Sequence, residues 1–171
     1  MRHFLLTIMV AMTALALSAQ ANRIVIEDFV VDRDSVVSVP VMLANETPMR
    51  GLQFRMVLPE GLKIEGSKLT KYSEKYDMNL AGRSTPQGDY AVFIYPMSRV
   101  CYPADSAVIM MLEVVASSDF KGGKIIMSGV RGSTIDNQSI PVEDTAVTVS
   151  VPASSLIGIP MDQTQGNGKF F

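Results

Sequence analysis

The sequence predicts an all-β domain, a two-sheet antiparallel β-sandwich. Three observations predict it. Short apolar segments alternate with period 2, turn residues punctuate them, and no segment carries a long helical pattern. The chain has 171 residues, 47% hydrophobic and 19% charged, a globular balance that excludes wholesale disorder. An open barrel is the alternative architecture that this pattern permits.

Ile24 to Val31 opens the series as a β-branched run. Val37, Val39, Val41 and Leu43 then share one strand face, with Val36, Ser38 and Met42 opposite. Pro40 lies inside that strand and has no N–H for a ladder, so it marks a sheet edge or a bulge. Leu52, Phe54, Met56 and Leu58 face one way, Gln53 and Arg55 the other. Tyr90, Val92 and Ile94 alternate with Ala91, Phe93 and Tyr95. Val108, Met110, Leu112 and Val114 repeat the pattern, Lys124 to Val130 is another β-branched run, and Thr145, Val147, Val149 and Val151 alternate with Ala146, Thr148 and Ser150. Asn45-Glu46-Thr47-Pro48, Pro59-Glu60-Gly61, Pro86-Gln87-Gly88-Asp89 and Gly122-Gly123 are the turns between them. Seven or more strands result. Lys68 to Asn79 breaks the alternation. Its steps of four (Lys68, Tyr72, Tyr76; Lys71, Lys75) fit a helical turn, and a long loop on the sandwich rim fits equally.

The ends read differently. Residues 1–21 have a basic start, an uncharged stretch from Phe4 to Leu17 and small residues at 19 and 21, the pattern of a cleaved export signal ending before Asn22. As a helix, that stretch rises only about 21 Å, short of the roughly 30 Å hydrocarbon core of a membrane. No later apolar run is long enough to span, so the mature chain is expected to have no transmembrane segment. From Ala153 the composition becomes linker-like until Phe170 and Phe171. The expected organisation is therefore signal 1–21, one domain over 22–152, and a tail over 153–171. A domain of about 130 residues buries roughly two-thirds of its unfolded surface without a staple.

The available chemistry is narrow. The single histidine, His3, lies in the signal, so a mature chain has none. That removes Ser-His-Asp and Cys-His nucleophiles and HExxH zinc sites. One cysteine, Cys101, excludes an intramolecular disulfide and a Cys/His zinc site, and it reads as a small buried hydrophobe. Glu27, Asp28, Asp32 and Asp34 offer carboxylates, but nothing in the sequence converges two of them for glycoside hydrolysis. Asp32-Arg33-Asp34 and Glu143-Asp144 lack the spacing of a calcium loop. No enzyme, metal or cofactor is expected. A net charge of −2, becoming −3 once Arg2 is cleaved away, gives no support for nucleic-acid binding. Tyr72 and Tyr76, flanked by Lys71 and Lys75, are the candidate ligand-binding residues, since a tyrosine stacks on a sugar ring and orients it with its hydroxyl. Tyr90 and Tyr95 have opposite parity and face opposite sides of their strand. Asn45-Glu46-Thr47 and Asn137-Gln138-Ser139 fit the N-glycosylation pattern.

Val36-Val37-Ser38-Val39-Pro40-Val41, then Asn45, then the run from Gly51 through Pro59-Glu60-Gly61-Leu62 resemble the cohesin-like, carbohydrate-binding-domain-like sandwich domains of exported Bacteroidetes proteins. Gly88-Asp89-Tyr90 and the Ala107–Ala116 strand with Phe120-Lys121-Gly122-Gly123 are similar to them too. The resemblance covers residues 22–151 and implies a flattened jelly roll of eight or nine strands. It departs at Tyr102-Pro103-Ala104-Asp105, where family members often carry a glycine turn. Cohesins proper bind dockerins through one sheet face; the quoted residues do not map that face, so dockerin binding is not carried over. Asp34-Ser35-Val36, Asp105-Ser106-Ala107 and Asp144-Thr145-Ala146 are similar to O-glycosylation sites of that phylum, which implies modification at Ser35, Ser106 and Thr145; each is also a strand-opening turn. Gly168-Lys169-Phe170-Phe171 resembles the lead-in to a C-terminal sorting tail whose remainder is absent. The resulting expectation is an exported (periplasmic, surface or extracellular), non-catalytic module for protein–protein assembly or adhesion at the cell envelope. A carbohydrate-binding module using surface tyrosines is the alternative, so the partner is an envelope protein or a glycan.

Overall fold

Strands with one apolar face are stable only when that face meets another, and here they pair into two stacked sheets. The computed structural model describes residues 22–153. The expected signal and nearly all of the expected tail lie outside the described residues. In chain order the strands are β1 (Arg23–Val25), β2 (Phe29–Val30), β3 (Ser35–Asn45), β4 (Gly51–Val57) and β5 (Leu62–Leu69). After the single helical turn α1 (Lys71–Lys75) come β6 (Met78–Ser84), β7 (Tyr90–Pro96), β8 (Asp105–Ala116), β9 (Gly123–Ser133), β10 (Ser139–Pro141) and β11 (Ala146–Ser150). One sheet has four strands in the order β1-β3-β8-β5; the other has seven, β2-β11-β9-β4-β7-β6, with β10 paired on β9. Strand pairing is antiparallel except for β2 with β11. The architecture is a two-sheet jelly-roll sandwich, as expected. Three strands of two or three residues (β1, β2, β10) extend the count beyond the eight or nine that the resemblance implies.

The inward positions follow the alternation closely. Val39, Val41 and Leu43 of β3, Leu52, Phe54 and Met56 of β4, and Tyr90, Val92 and Ile94 of β7 are all buried. Together with Leu112, Val114, Ile125, Met127, Val147 and Val149 they fill the space between the sheets. Pro40 pairs with Met111 one residue before the register shift at Val41/Met42, and the short β1 does not reach it, so on that side it lies on an open sheet edge.

The reading of β8 needs one correction. Alternation placed Val108 on the face of Met110, Leu112 and Val114. In the structure Val108 is exposed, and Ile109 and Met110 are both buried. The cause is a bulge: Val41 pairs with Met110 and Met42 with Val108, so Ile109 is an extra residue that switches the parity. A second correction concerns the polar segment. It does form a helical turn, but Lys68 belongs to β5, opposite Met111, and only Tyr72 and Tyr76 stack as helical neighbours.

Candidate functional site: the outer face of the seven-stranded sheet

The strands of the seven-stranded sheet contain Arg55, Arg83, Lys124 and Arg131 and not one Asp or Glu. Those of the four-stranded sheet balance Arg23, Lys63 and Lys68 against Glu65, Asp105 and Glu113. A chain of net charge −2 therefore keeps acids off one of its two sheets. Because Leu52, Phe54 and Met56 point into the core, Gln53, Arg55 and Val57 point out. By the same rule Ala91, Phe93 and Tyr95 of β7 point out, and Phe93 and Tyr95 are each 46% exposed.

Register fixes the neighbours on this face. One row runs Arg131, Gln53, Phe93, Ala81 across β9, β4, β7 and β6. The next runs Ser128, Arg55, Ala91, Arg83. Further along, Val57 pairs with Ile126 and Ile126 with Ala146, an exposed aliphatic strip. Two shallow hollows of about 330 and 320 Å³ share Gln53, Phe93 and Arg131 in their lining. Arg55 Nη1 lies 3.7 Å from Asp89 Oδ2, while Arg83, Lys124 and Arg131 make no ion pair among the described residues. Neither Phe93 nor Tyr95 packs on another ring there.

Arg131 reaches this face through a bulge. Gln53 pairs with Arg131 but Arg55 with Ser128, which leaves one extra residue on β9. Burial accordingly changes parity along β9, from Ile125 and Met127 to Val130 and Gly132. Gly129 sits at the switch with φ +61°, a left-handed conformation that costs a side-chain-bearing residue roughly 1–2 kcal/mol. Without the extra residue Arg131 would point into the core.

The residues singled out from the sequence lie elsewhere. Lys71, Tyr72, Lys75 and Tyr76 come together on α1 and its C-terminal end. Tyr72 and Tyr76 are half-buried and meet edge to face at 5.2 Å; Tyr72 stacks on the buried Tyr102 at 5.9 Å, with their planes 8° apart. Beneath them the Tyr102 hydroxyl donates to Ser73 Oγ (2.7 Å), which donates to the Ile109 carbonyl (2.6 Å). Burial, then the neighbouring Tyr76, pushes the Tyr72 phenol up to about 12; burial does the same for Tyr102. Lys71 and Lys75 are exposed, with Lys75 Nζ 5.3 Å from the Tyr76 ring centre. Ser35 Oγ donates to the Asp32 carbonyl (2.6 Å), Ser106 is exposed, and Thr145 Oγ1 donates to the Ile24 carbonyl (3.3 Å). Asn45 is 7% exposed, its amide donating to the Thr47 and Pro103 carbonyls. Cys101 is half-buried beside the Met49–Tyr102 bridge. Of the acids, Asp28 accepts from the Thr148 N–H (2.7 Å), and no cluster suited to a metal occurs among the described residues.

The sequence reading missed Arg55, Arg83, Phe93 and Arg131 as a group. No local sequence signal groups them, because they share a surface only through the strand order β9-β4-β7-β6.

No family model and no curated protein matches the sequence. Solved structures do match its fold. A non-cellulosomal cohesin from the archaeon Archaeoglobus fulgidus is 13% identical, with a TM-score of 0.65 over 78% of this chain and 93% of that one. The sixth cohesin of Acetivibrio cellulolyticus scaffoldin B, solved with a Cel5 dockerin, is 16% identical, with a TM-score of 0.64 over 77% and 99%. A cohesin module from a Clostridium perfringens family 33 glycoside hydrolase is 7% identical, with a TM-score of 0.63 over 77% and 98%. The fold is that of cohesin modules.

Proposed function

We propose that the protein is an exported, non-catalytic, cohesin-like module for protein–protein assembly or adhesion at the cell envelope, docking its partner on the outer face of the seven-stranded sheet. One observation carries this reading: Phe93 and Tyr95 stand exposed, with no ring packed on them among the described residues, on a sheet whose strands hold arginines and no acids. Aromatic residues and arginine are enriched at protein interfaces and supply most of their binding hot spots, whereas Glu and Asp are depleted there. The aliphatic Val57 and Ile126 extend the patch and give a sugar neither a stacking face nor a hydrogen bond. The likeness to cohesin modules supports an assembly role, and the 1–21 pattern supports export. Glycosylation at Ser35, Ser106 and Thr145 belongs to the same reading, and the intact mass of the exported protein tests it.

Capture from an envelope extract tests the docking face. The parent protein should retain a protein partner, and Phe93→Ala with Tyr95→Ala should lose it, while Val36→Ala on the opposite sheet should not. Retention by the double variant contradicts the proposal. The glycan alternative has its own support, since Lys71, Tyr72, Lys75 and Tyr76 share one turn at the rim. Saturable glycan-array binding that disappears with Tyr72→Ala would replace the protein-docking reading.

A further inference from the structure

We propose that two copies of this chain pair along β6, antiparallel about a two-fold axis at Ala81, and so join their seven-stranded sheets edge to edge. The proposal concerns a sheet edge rather than a face and does not depend on the docking reading above. An edge strand presents unpaired N–H and C=O groups that template another strand, and natural proteins blunt such edges with short strands, charges, proline or bulges. One sheet ends on β1 and β5, the other on β2 and β6. β1 has three residues and β2 has two. β5 carries Lys63, Glu65 and Lys68, and its register shifts between Ile64 and Gly66. β6 differs from all three. Its 7 residues pair with β7 without a register shift, and they include no proline, no lysine and no acid, Arg83 being the one charge. Beyond that ladder no hydrogen bond reaches the main chain of residues 78–84 among the described residues, and Ala81, Gly82, Arg83 and Ser84 are exposed.

The sequence of β6 fits itself. Full overlap of two antiparallel copies sets Ala81 opposite Ala81, Asn79 opposite Arg83 and Leu80 opposite Gly82. Asn79, Ala81 and Arg83 share the outer side, where Ala81 lies beside Phe93. The two arginines stand four residues apart along the ladder, about 14 Å, so no like charges meet. Each guanidinium can donate to the opposing Asn79 side-chain carbonyl. On the inner side the half-buried Leu80 meets only a glycine, so bulk never opposes bulk. A foreign strand would have to match the arginine and the small Ala81-Gly82 pair, whereas a second copy matches them by symmetry. The axis stands perpendicular to the sheet, so both outer faces look the same way. The row Arg131, Gln53, Phe93, Ala81 then continues into the same row of the second copy in reverse order, and the dimer presents any ligand site on that face twice. One strand pair buries less surface than a standard interface, so the dimer is weak and concentration-dependent.

Sedimentation velocity on the purified protein, from about 1 to about 500 µM, should show monomer giving way to dimer. Ala81→Lys sets two like charges face to face at the axis and should weaken dimerisation at least about tenfold. Ala81→Glu should do the same, and an equimolar mixture of the two variants should recover the dimer as a heterodimer. Asn79→Asp, which sets an acid opposite each Arg83, should tighten pairing, and Val36→Lys on the opposite sheet should leave it unchanged. Position 81 is exposed, so urea melts should show both of its variants folded like the parent. Monomer throughout the range overturns the proposal, as does a dimer that Ala81→Lys leaves intact. Two monomeric variants whose mixture stays monomeric overturn the axis at Ala81. Protection of the 78–84 amides from hydrogen exchange only after an envelope extract is added assigns the edge to a foreign strand and overturns the second copy.

Discussion

The molecule carries two groups of aromatic and cationic side chains, and they are built in opposite ways. Around α1, Tyr72, Tyr76 and Tyr102 are spent on one another: rings stack, and the deepest hydroxyl is tied through Ser73 to the backbone of β8. On β7, Phe93 and Tyr95 pack on no other ring among the described residues, and of the arginines beside them only Arg55 makes an ion pair there, with Asp89. Both groups have the composition of a binding site. What separates them is whether the side chains already satisfy one another, and a satisfied cluster contributes to folding, whereas an unsatisfied one is available to a partner.

Substitutions in the two groups should therefore move different quantities. The largest effect is expected for Tyr102→Ala, which empties a fully buried position and leaves Ser73 without its donor. It should lower folding stability by about 3–5 kcal/mol in urea melts, whereas Phe93→Ala should change stability by less than about 0.5 kcal/mol. Comparable losses at both positions would erase the distinction between the groups.

Gly129→Ala should come next. Its added methyl meets nothing within 4 Å, so the cost is that of the left-handed backbone alone, about 1–2 kcal/mol. If the bulge relaxes to escape that strain, Arg131 turns inward and partner binding weakens as well. An unchanged stability would show that the left-handed backbone at position 129 carries no such cost.

A smaller effect is confined to alkaline solution. Burial holds the Tyr102 and Tyr72 phenols near 12, above the ordinary value of 10.0. The unfolded chain thus releases these protons first. Their contribution to stability is intact below about pH 10 and is lost as pH rises toward about 12. Tyr102→Phe should flatten the decline of the urea midpoint over that range.

Much of this fold was legible in the sequence because the alternation of Leu52, Phe54 and Met56, or of Tyr90, Val92 and Ile94, reports directly which side of a strand is wet. Alternation is blind to an inserted residue. Ile109 and Gly129 each shift the parity of a strand, which is why Val108 was placed inward and why the outward position of Arg131 went unread. It is also blind to sheet membership. Arg55, Arg83 and Arg131 are separated by tens of residues, and only the order β9-β4-β7-β6 brings them onto one surface. The tyrosines of α1 were visible as a group because their spacing is local. Their packing against Tyr102 was not, because that contact spans the chain from α1 to the segment before β8.

Site-specific photo-cross-linking compares the two groups most directly. Benzoylphenylalanine is placed in turn at Phe93, at Tyr76 and at Val36, and the cells that make the protein are irradiated. Docking on the seven-stranded sheet predicts protein adducts from position 93 and none from positions 76 or 36. Adducts from position 76 with none from position 93 would contradict it.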